Sequence, residues 1–331
     1  MKAAVIKSAN TVGVFDLERP KIKKGHVLLK IAYSGFCGPT DMGIIEGLHP
    51  RAKFPLVFCH EFSGVIEETG EGVSFKKGEE VTVNPLITCN ECHTCRQGNS
   101  YVCESLKLIG IDCNGGFAEY CLVPQENLVR LPSGMPLKLA ALAEPVAVGI
   151  HAVRGSVFKT GDAVMVFGAG PIGLITATCL KTAGAGEIIV VERDEKRLAF
   201  AKSFGFKVLS DLEGFKKSGR VIVDQIFDTT GAPALLSYAV DLVKIKGFIA
   251  IVGKFDEPAP VNLHDVLFKE LTIKGFRVYR SEEFEHAVKL ISQNPQYFEK
   301  LITDVYSLDQ INEAIDAFKT RGNLCKIMIK V

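Results

Sequence analysis

Apolar and polar positions alternate in short runs over the first 130 or so residues, and the period lengthens to a helical one further on. Lys2–Lys7, His26–Ala32, Gly64–Glu68 and Glu80–Asn84 carry β-branched residues between Gly, Pro and Asn breaks and read as strands. Met1 to about Pro132 is therefore expected to be irregular and β-rich, with Tyr33–Gly64 as one long loop. Leu139–Val153 is an apolar, helix-like run interrupted by Glu144-Pro145. From Ala163 the texture changes: Val164–Phe167 reads as a strand, Gly168-Ala-Gly170-Pro171-Ile172-Gly173 as a turn, and the apolar residues to Leu180 as a helix.

Alternation of strand and helix then continues. Strands are expected at Glu187–Glu192, Lys207–Leu209, Asp224–Phe227, Phe248–Val252 and Leu271–Gly275, and helices at Glu195–Phe204, Pro233–Lys244 and Val261–Lys269. Six strands with intervening helices predict a doubly wound parallel sheet. Beyond it come two helices, Glu282–Ser292 and Leu308–Lys319, a strand at Ile302–Tyr306 and a last strand, Cys325–Val331, expected to return to the first domain. The expected division is 1–150 completed by 282–331, and 151–281.

The order strand, glycine turn, helix is a recipe for holding a pyrophosphate. The first glycine permits the tight turn, the second admits the phosphates to backbone N–H groups, and the third lets helix and strand pack closely. Glu192, at the end of the next strand, stands where an acidic side chain accepts ribose hydroxyls and repels a 2′-phosphate, which favours NAD. Arg193 beside it keeps NADP as the alternative. The eighteen uncharged residues of Ala163–Leu180 also have the length of a membrane span, but three glycines and a proline are poor material for one.

Composition narrows the field. Across 331 residues, 39 basic and 38 acidic side chains give a net charge of +1, which offers no basis for nucleic-acid or membrane-surface binding. The N-terminal stretch has no apolar core of signal-peptide length, so a cytoplasmic protein is expected. In that compartment ten cysteines point to metal or catalysis rather than disulfides.

Four of them, Cys89-x2-Cys92-x2-Cys95-x7-Cys103, suit a closed tetrahedral structural zinc site. Iron–sulfur ligation and a redox Cys-x-x-Cys are the alternatives, and the spacings favour neither. Cys37, His60 and Glu61 offer a thiolate, an imidazole and a carboxylate within one segment, the donor set of a catalytic zinc site with one open position. Taken singly, each is as readily a packed thiol or a hydrogen-bonded core residue. Glu144, a carboxylate in an apolar run, needs a cation or a capping role.

Together these motifs, with Gly115-Gly116-Phe117-Ala-Glu119-Tyr120, resemble the zinc-dependent medium-chain alcohol dehydrogenases. Glu61 and Glu144-Pro145-Val-Ala-Val-Gly-Ile-His resemble the polyol branch of sorbitol, butanediol and sugar-acid dehydrogenases. The resemblance implies a GroES-like catalytic domain plus a Rossmann domain. It implies catalytic zinc on Cys37, His60 and either Glu61 or Glu144, Asp41 orienting the histidine, and Thr40 passing the substrate proton. It places the cofactor on Gly168, Gly170, Pro171, Ile172, Gly173, Glu192, Arg197, Thr230 and Gly253. The reaction implied is hydride exchange between NAD(P) and an alcohol, polyol or sugar acid, in a homodimer or homotetramer, with a threonine-dehydrogenase-like enzyme and a non-catalytic nucleotide-binding protein as the alternatives. Two departures stand out: Pro39 is an additional residue between Cys37 and Asp41, and Gly43 replaces a relay histidine, for which His49 is the nearby candidate. Arg277 and Arg280 are candidates for a substrate carboxylate, with a solvent-facing role as the alternative.

Overall fold

The computed structural model describes residues 1–217, 223–320 and 325–331. Two compact units emerge: Met1–Pro145 with Arg280–Val331, and Val146–Tyr279.

In the first unit the strand His26–Phe36 is the hub of a seven-stranded mixed sheet. It pairs antiparallel with Glu61–Thr69, Tyr120–Pro124 and Lys326–Lys330. Val27, Leu28, Leu29 and Ile31 are buried along it, which explains why the apolar run continues beyond simple alternation. Glu61–Thr69 fits because Gly64 has no side chain; a Cβ there would lie 2.1 Å from the Lys30 carbonyl oxygen. Gly35 and Glu61 are register partners, so the end of the hub strand lies beside the histidine–glutamate pair.

Tyr33–Gly64 is not one loop. The hub strand runs to Phe36, the helix Gly38–Ile45 follows at once, and Leu56–Val57 joins Lys2–Ser8 in a small separate sheet. Glycine and proline at the start of that helix mask it in the sequence. Pro39 suits the first helical turn, whose N–H groups have no intrahelical partner anyway.

The second unit holds six parallel strands in the order Lys207–Leu209, Glu187–Val191, Ala163–Phe167, Val223–Asp228, Val243–Ile251 and Thr272–Gly275. Met165, Phe167, Val223, Ile226, Val243 and Ile249 are completely buried in its core. The apolar stretch read as a candidate membrane span divides between a five-residue strand and the helix Pro171–Thr182. Among the described residues no helix is long and apolar enough to cross a membrane. The helix expected at Pro233–Lys244 ends at Leu242, because Val243 already pairs with Val223 in the sheet.

Candidate metal and dinucleotide sites

Two elements of the first unit deliver the donors. Cys37 caps the helix Gly38–Ile45, while His60 and Glu61 lie at the start of the strand paired with the hub. One ligand atom from each of Cys37, His60 and Glu61 lies within 4.8 Å of the other two. His60 Nδ1, Glu61 Oε1 and Asp41 Oδ1 are buried without hydrogen-bond partners. Buried donors left so are costly unless a cation joins them, and this set suits zinc.

The electrostatics agree. Burial alone would depress the basicity of His60, yet the Cys37 thiol, Glu144 and Asp41 outweigh it and raise its pKa to about 10. The cluster is thus short of positive charge. Burial pushes Asp41 up to about 7, with Glu61 adding to the rise while His60 and the Cys37 amide oppose it. Asp41 Oδ2 accepts the Cys37 N–H at 2.8 Å, so this carboxylate fixes the thiol's backbone rather than hydrogen-bonding the His60 ring. Glu144, buried in the first turn of the helix Ala143–Gly155, acts electrostatically on His60 but stands outside the tight three-residue group. Thr40 is half-buried in the first turn after Cys37. Open space faces Gly43, whose carbonyl accepts the His49 N–H at 2.9 Å, and His49 Nδ1 accepts the Arg51 N–H at 3.4 Å.

One residue escaped the sequence reading. Lys326, on the last strand, is 2% exposed, forms an ion pair with Glu61 and donates to the Phe36 carbonyl at 3.1 Å. Burial works against its charge, but Glu61, Cys37 and Glu144 raise its pKa. Only a lysine read as a buried residue in an apolar strand would have signalled it.

The four cysteines converge as their spacing implies. Sulfur–sulfur separations are 3.4 Å for Cys89–Cys103, and 3.9 Å for both Cys89–Cys95 and Cys92–Cys103. Hydrogen bonding, first from the Thr94 hydroxyl, lowers Cys92 to about 5, whereas burial and neighbouring thiols push Cys95 up to about 12. Four thiolates cannot coexist here without a cation, and a tetrahedral zinc would supply one. Arg280 is committed to this lobe. It donates to Asn99 Oδ1 at 2.9 Å and Gly98 O at 3.4 Å, with its guanidinium 5.1 Å from the Tyr101 ring centroid. That removes it as a free carboxylate binder, while Arg277 is exposed.

In the second unit, Gly168 adopts φ +97°, and a Cβ on Gly173 would lie 2.0 Å from the Gly168 carbonyl oxygen. Open space faces Gly170, the N-cap of Pro171–Thr182, so a phosphate can approach the helix N-terminus. Glu192 accepts the N–H groups of Ala169 at 3.1 Å, Arg193 at 2.8 Å and Asp194 at 3.2 Å, with Arg197 3.9 Å away. These bonds lock the carboxylate beside the glycine turn. Thr230 donates through N–H and hydroxyl to Asp228 Oδ1 at 2.8 and 2.7 Å. Gly253 packs so closely that a Cβ would lie 2.3 Å from the Gly231 nitrogen.

A parallel sheet with a glycine phosphate turn, joined in one chain to a thiol–imidazole–carboxylate group and a four-cysteine lobe, defines a zinc-type dehydrogenase. Residues 23–133 match the alcohol dehydrogenase GroES-like domain, and residues 171–293 the zinc-binding dehydrogenase model. The 2-dehydro-3-deoxy-L-galactonate 5-dehydrogenase of Pseudoalteromonas atlantica is 36% identical over 298 residues, which cover 88% of this chain and 87% of that protein. The crystal structure of 2R,3R-butanediol dehydrogenase from Bacillus subtilis superposes with a TM-score of 0.93 at 31% identity, covering 100% and 99% of the two chains. An alcohol dehydrogenase of Escherichia coli, RspB, solved with NADH, gives 0.93 at 30% identity over the same shares. The chain belongs to the zinc-binding alcohol dehydrogenase family. It is an oxidoreductase that uses zinc and a nicotinamide dinucleotide.

Proposed function

We propose that the chain catalyses reversible, NAD-linked oxidation of a secondary alcohol within a polyol, diol or sugar acid. The observation that carries this reading is the buried convergence of Cys37, His60 and Glu61, a donor set short of one cation. The butanediol, sorbitol and sugar-acid dehydrogenases among its relatives support this substrate class. Cys37 and His60 would hold the catalytic zinc together with one glutamate, and Cys89, Cys92, Cys95 and Cys103 the structural one. When bound, zinc supplies a Lewis acid that lowers the pKa of the substrate hydroxyl.

The chain's own groups do the rest. Asp41 pins the Cys37 backbone and so the thiol's position. Thr40, half-buried in the first turn after Cys37, would take the hydroxyl proton toward solvent. The turn Gly168–Gly173 orients the dinucleotide by its pyrophosphate, and Glu192 disfavours a 2′-phosphate, which supports NAD over NADP. Three backbone N–H groups already satisfy part of that carboxylate, so the cofactor preference rests on its remaining acceptor capacity.

A sugar acid gains weight from the 36% identity to the galactonate enzyme, against 32% for the sorbitol and butanediol enzymes. A cytoplasmic location fits the four-cysteine lobe, which needs a reducing compartment to stay a metal site. A homo-oligomer is supported by the exposed edge strand Thr272–Gly275 and the adjacent Leu263, Leu267 and Phe268, each more than 70% exposed.

The test is a screen of zinc-replete protein with NAD⁺ and NADP⁺ against diols, polyols and aldonates, followed as formation of the reduced cofactor. Turnover confined to primary alcohols, or cofactor binding without turnover anywhere on the panel, would sink the proposal.

A further inference from the structure

His60 follows a residue whose backbone is out of the ordinary. Among the described residues, six that are not glycine have a positive φ, and Cys59, at +85°, is the only buried one. A side chain there crowds its own backbone, so the conformation persists only where the surroundings over-determine it. Around Cys59 they do. The Val57, Phe58 and Cys59 carbonyls accept the N–H groups of Gly115, Phe117 and Gly116 at 2.7, 3.1 and 2.9 Å. The Cys59 carbonyl oxygen lies in a slot between two glycines: a Cβ on Gly110 or on Gly115 would stand 2.0 Å from it. With that carbonyl held, the chain turns at Cys59 out of these pairings and into the strand Glu61–Thr69.

Glycine would make such a turn without strain, so the presence of a side chain calls for a reason of its own. The Cys59 side chain is completely buried, and its thiol lies 3.4 Å from both the Gly35 and the Glu61 carbonyl oxygens. Gly35 and Glu61 are register partners, and Gly35 stands two residues ahead of Cys37. One thiol therefore straddles the strand end that leads into Cys37 and the strand start that follows His60. It is not one of the three converging donors.

Resting on the metal site proposed above, we infer that Cys59 is a positioning residue for that site. Its left-handed backbone aims His60 at the donor group, and its thiol ties Gly35 to Glu61 and so fixes the spacing of Cys37 from His60. The metal then meets donors already in place.

Full-length wild type, Cys59→Ser, Cys59→Ala and Cys59→Gly test this. Each is loaded with zinc and titrated with a competing chelator, then loaded with Co²⁺ for spectroscopy. The four-cysteine lobe is common to all, so a difference between the proteins belongs to the other metal. Cys59→Ala and Cys59→Gly, which lack the donor, should release that metal about tenfold more readily than wild type, the scale of losing an outer hydrogen-bond partner. Cys59→Ser keeps a hydrogen-bond donor and should stay closer to wild type than to either. The order of kcat should be the same, while KM for the dinucleotide stays unchanged. The thiolate-to-cobalt charge-transfer band should keep its wild-type intensity in all four, because Cys37 and the lobe supply it. Cys59→Gly preserves the comparison if Cys59→Ala folds poorly, since glycine adopts φ +85° freely.

A Cys59→Gly protein with wild-type metal affinity and kcat would overturn the inference and leave the thiol a packing group. So would a Cys59→Ser protein as weak as Cys59→Gly, or a weakened charge-transfer band, which would make Cys59 a ligand. Wild type that holds only one metal per chain would overturn the metal site itself; two metals with no effect at Cys59 would overturn this step alone.

Discussion

Glu61 meets three constraints at once: a buried strand position, a lysine partner and a place among metal donors. Gly35 makes the first two compatible. Gly35→Ala would place a Cβ 2.3 Å from Glu61 Oε2, so the carboxylate must move. We expect zinc content to fall toward one per chain and kcat/KM to drop about a hundredfold, the scale of a displacement of roughly 1 Å near the chemistry. Metal analysis and steady-state rates would check it, and a variant with two zinc and near-native rates would contradict it. The four-cysteine lobe was legible in the sequence because its thiols lie within fifteen residues, and Cys37 and His60 only as donors carried by one β-rich segment. Lys326 was not, since it reaches Phe36 across 290 residues and nothing local marks a lysine as buried. Asp41 was legible as a neighbour of the metal donors, but its partner proved to be the Cys37 N–H, which only geometry could show.

Among the elements, the parallel sheet was the most legible part, because strand and helix periods alternate cleanly from Ala163 to Gly275. The helix Gly38–Ile45 was hidden by a glycine–proline start and by open space where a side chain would face outward from Gly43. Within the sheet, Asp224 ties the strand Val223–Asp228 to its neighbours. It accepts the Ala163 N–H at 2.7 Å and pairs with Lys244. Burial raises its pKa, but Lys244 and the Ala163 amide outweigh that and leave it below the ordinary 3.8. A lowered folded-state pKa contributes stability that is present above the unfolded value and lost as pH falls through the folded one. Asp224→Asn should therefore cost about 1 kcal/mol at neutral pH, discounted because Lys244 is half exposed. Thermal melts of the two proteins should converge as pH falls well below 3.8; a gap that stays constant with pH would contradict the assignment.

At the scale of the whole molecule, the chain assigns metal chemistry to one unit and the dinucleotide turn to the other, and the family match spans both. Its exposed edge strand bears on assembly. Phe268→Glu and Ile273→Lys place charge on the apolar face formed by the helix Leu263–Phe268 and the strand Thr272–Gly275. For the homo-oligomer proposed above, sedimentation should show the double variant shifting toward monomer with its fold intact; an unchanged oligomer would locate the contact elsewhere, and a monomeric wild type would contradict the proposal. The sequence carried no such signal, because Leu, Phe and Ile in a strand–helix unit read as core until their exposure is known.

The central claim is that Cys37 and His60 hold the metal that performs the chemistry. Its most direct test is to measure zinc content and the rate of NADH formation on the same samples of wild type and His60→Ala, with the best alcohol substrate. The account predicts two zinc per chain and turnover in wild type, against one zinc and a kcat/KM lower by about a thousandfold or more in the variant. A His60→Ala protein that has lost one zinc and still turns over within about tenfold of wild type would contradict it.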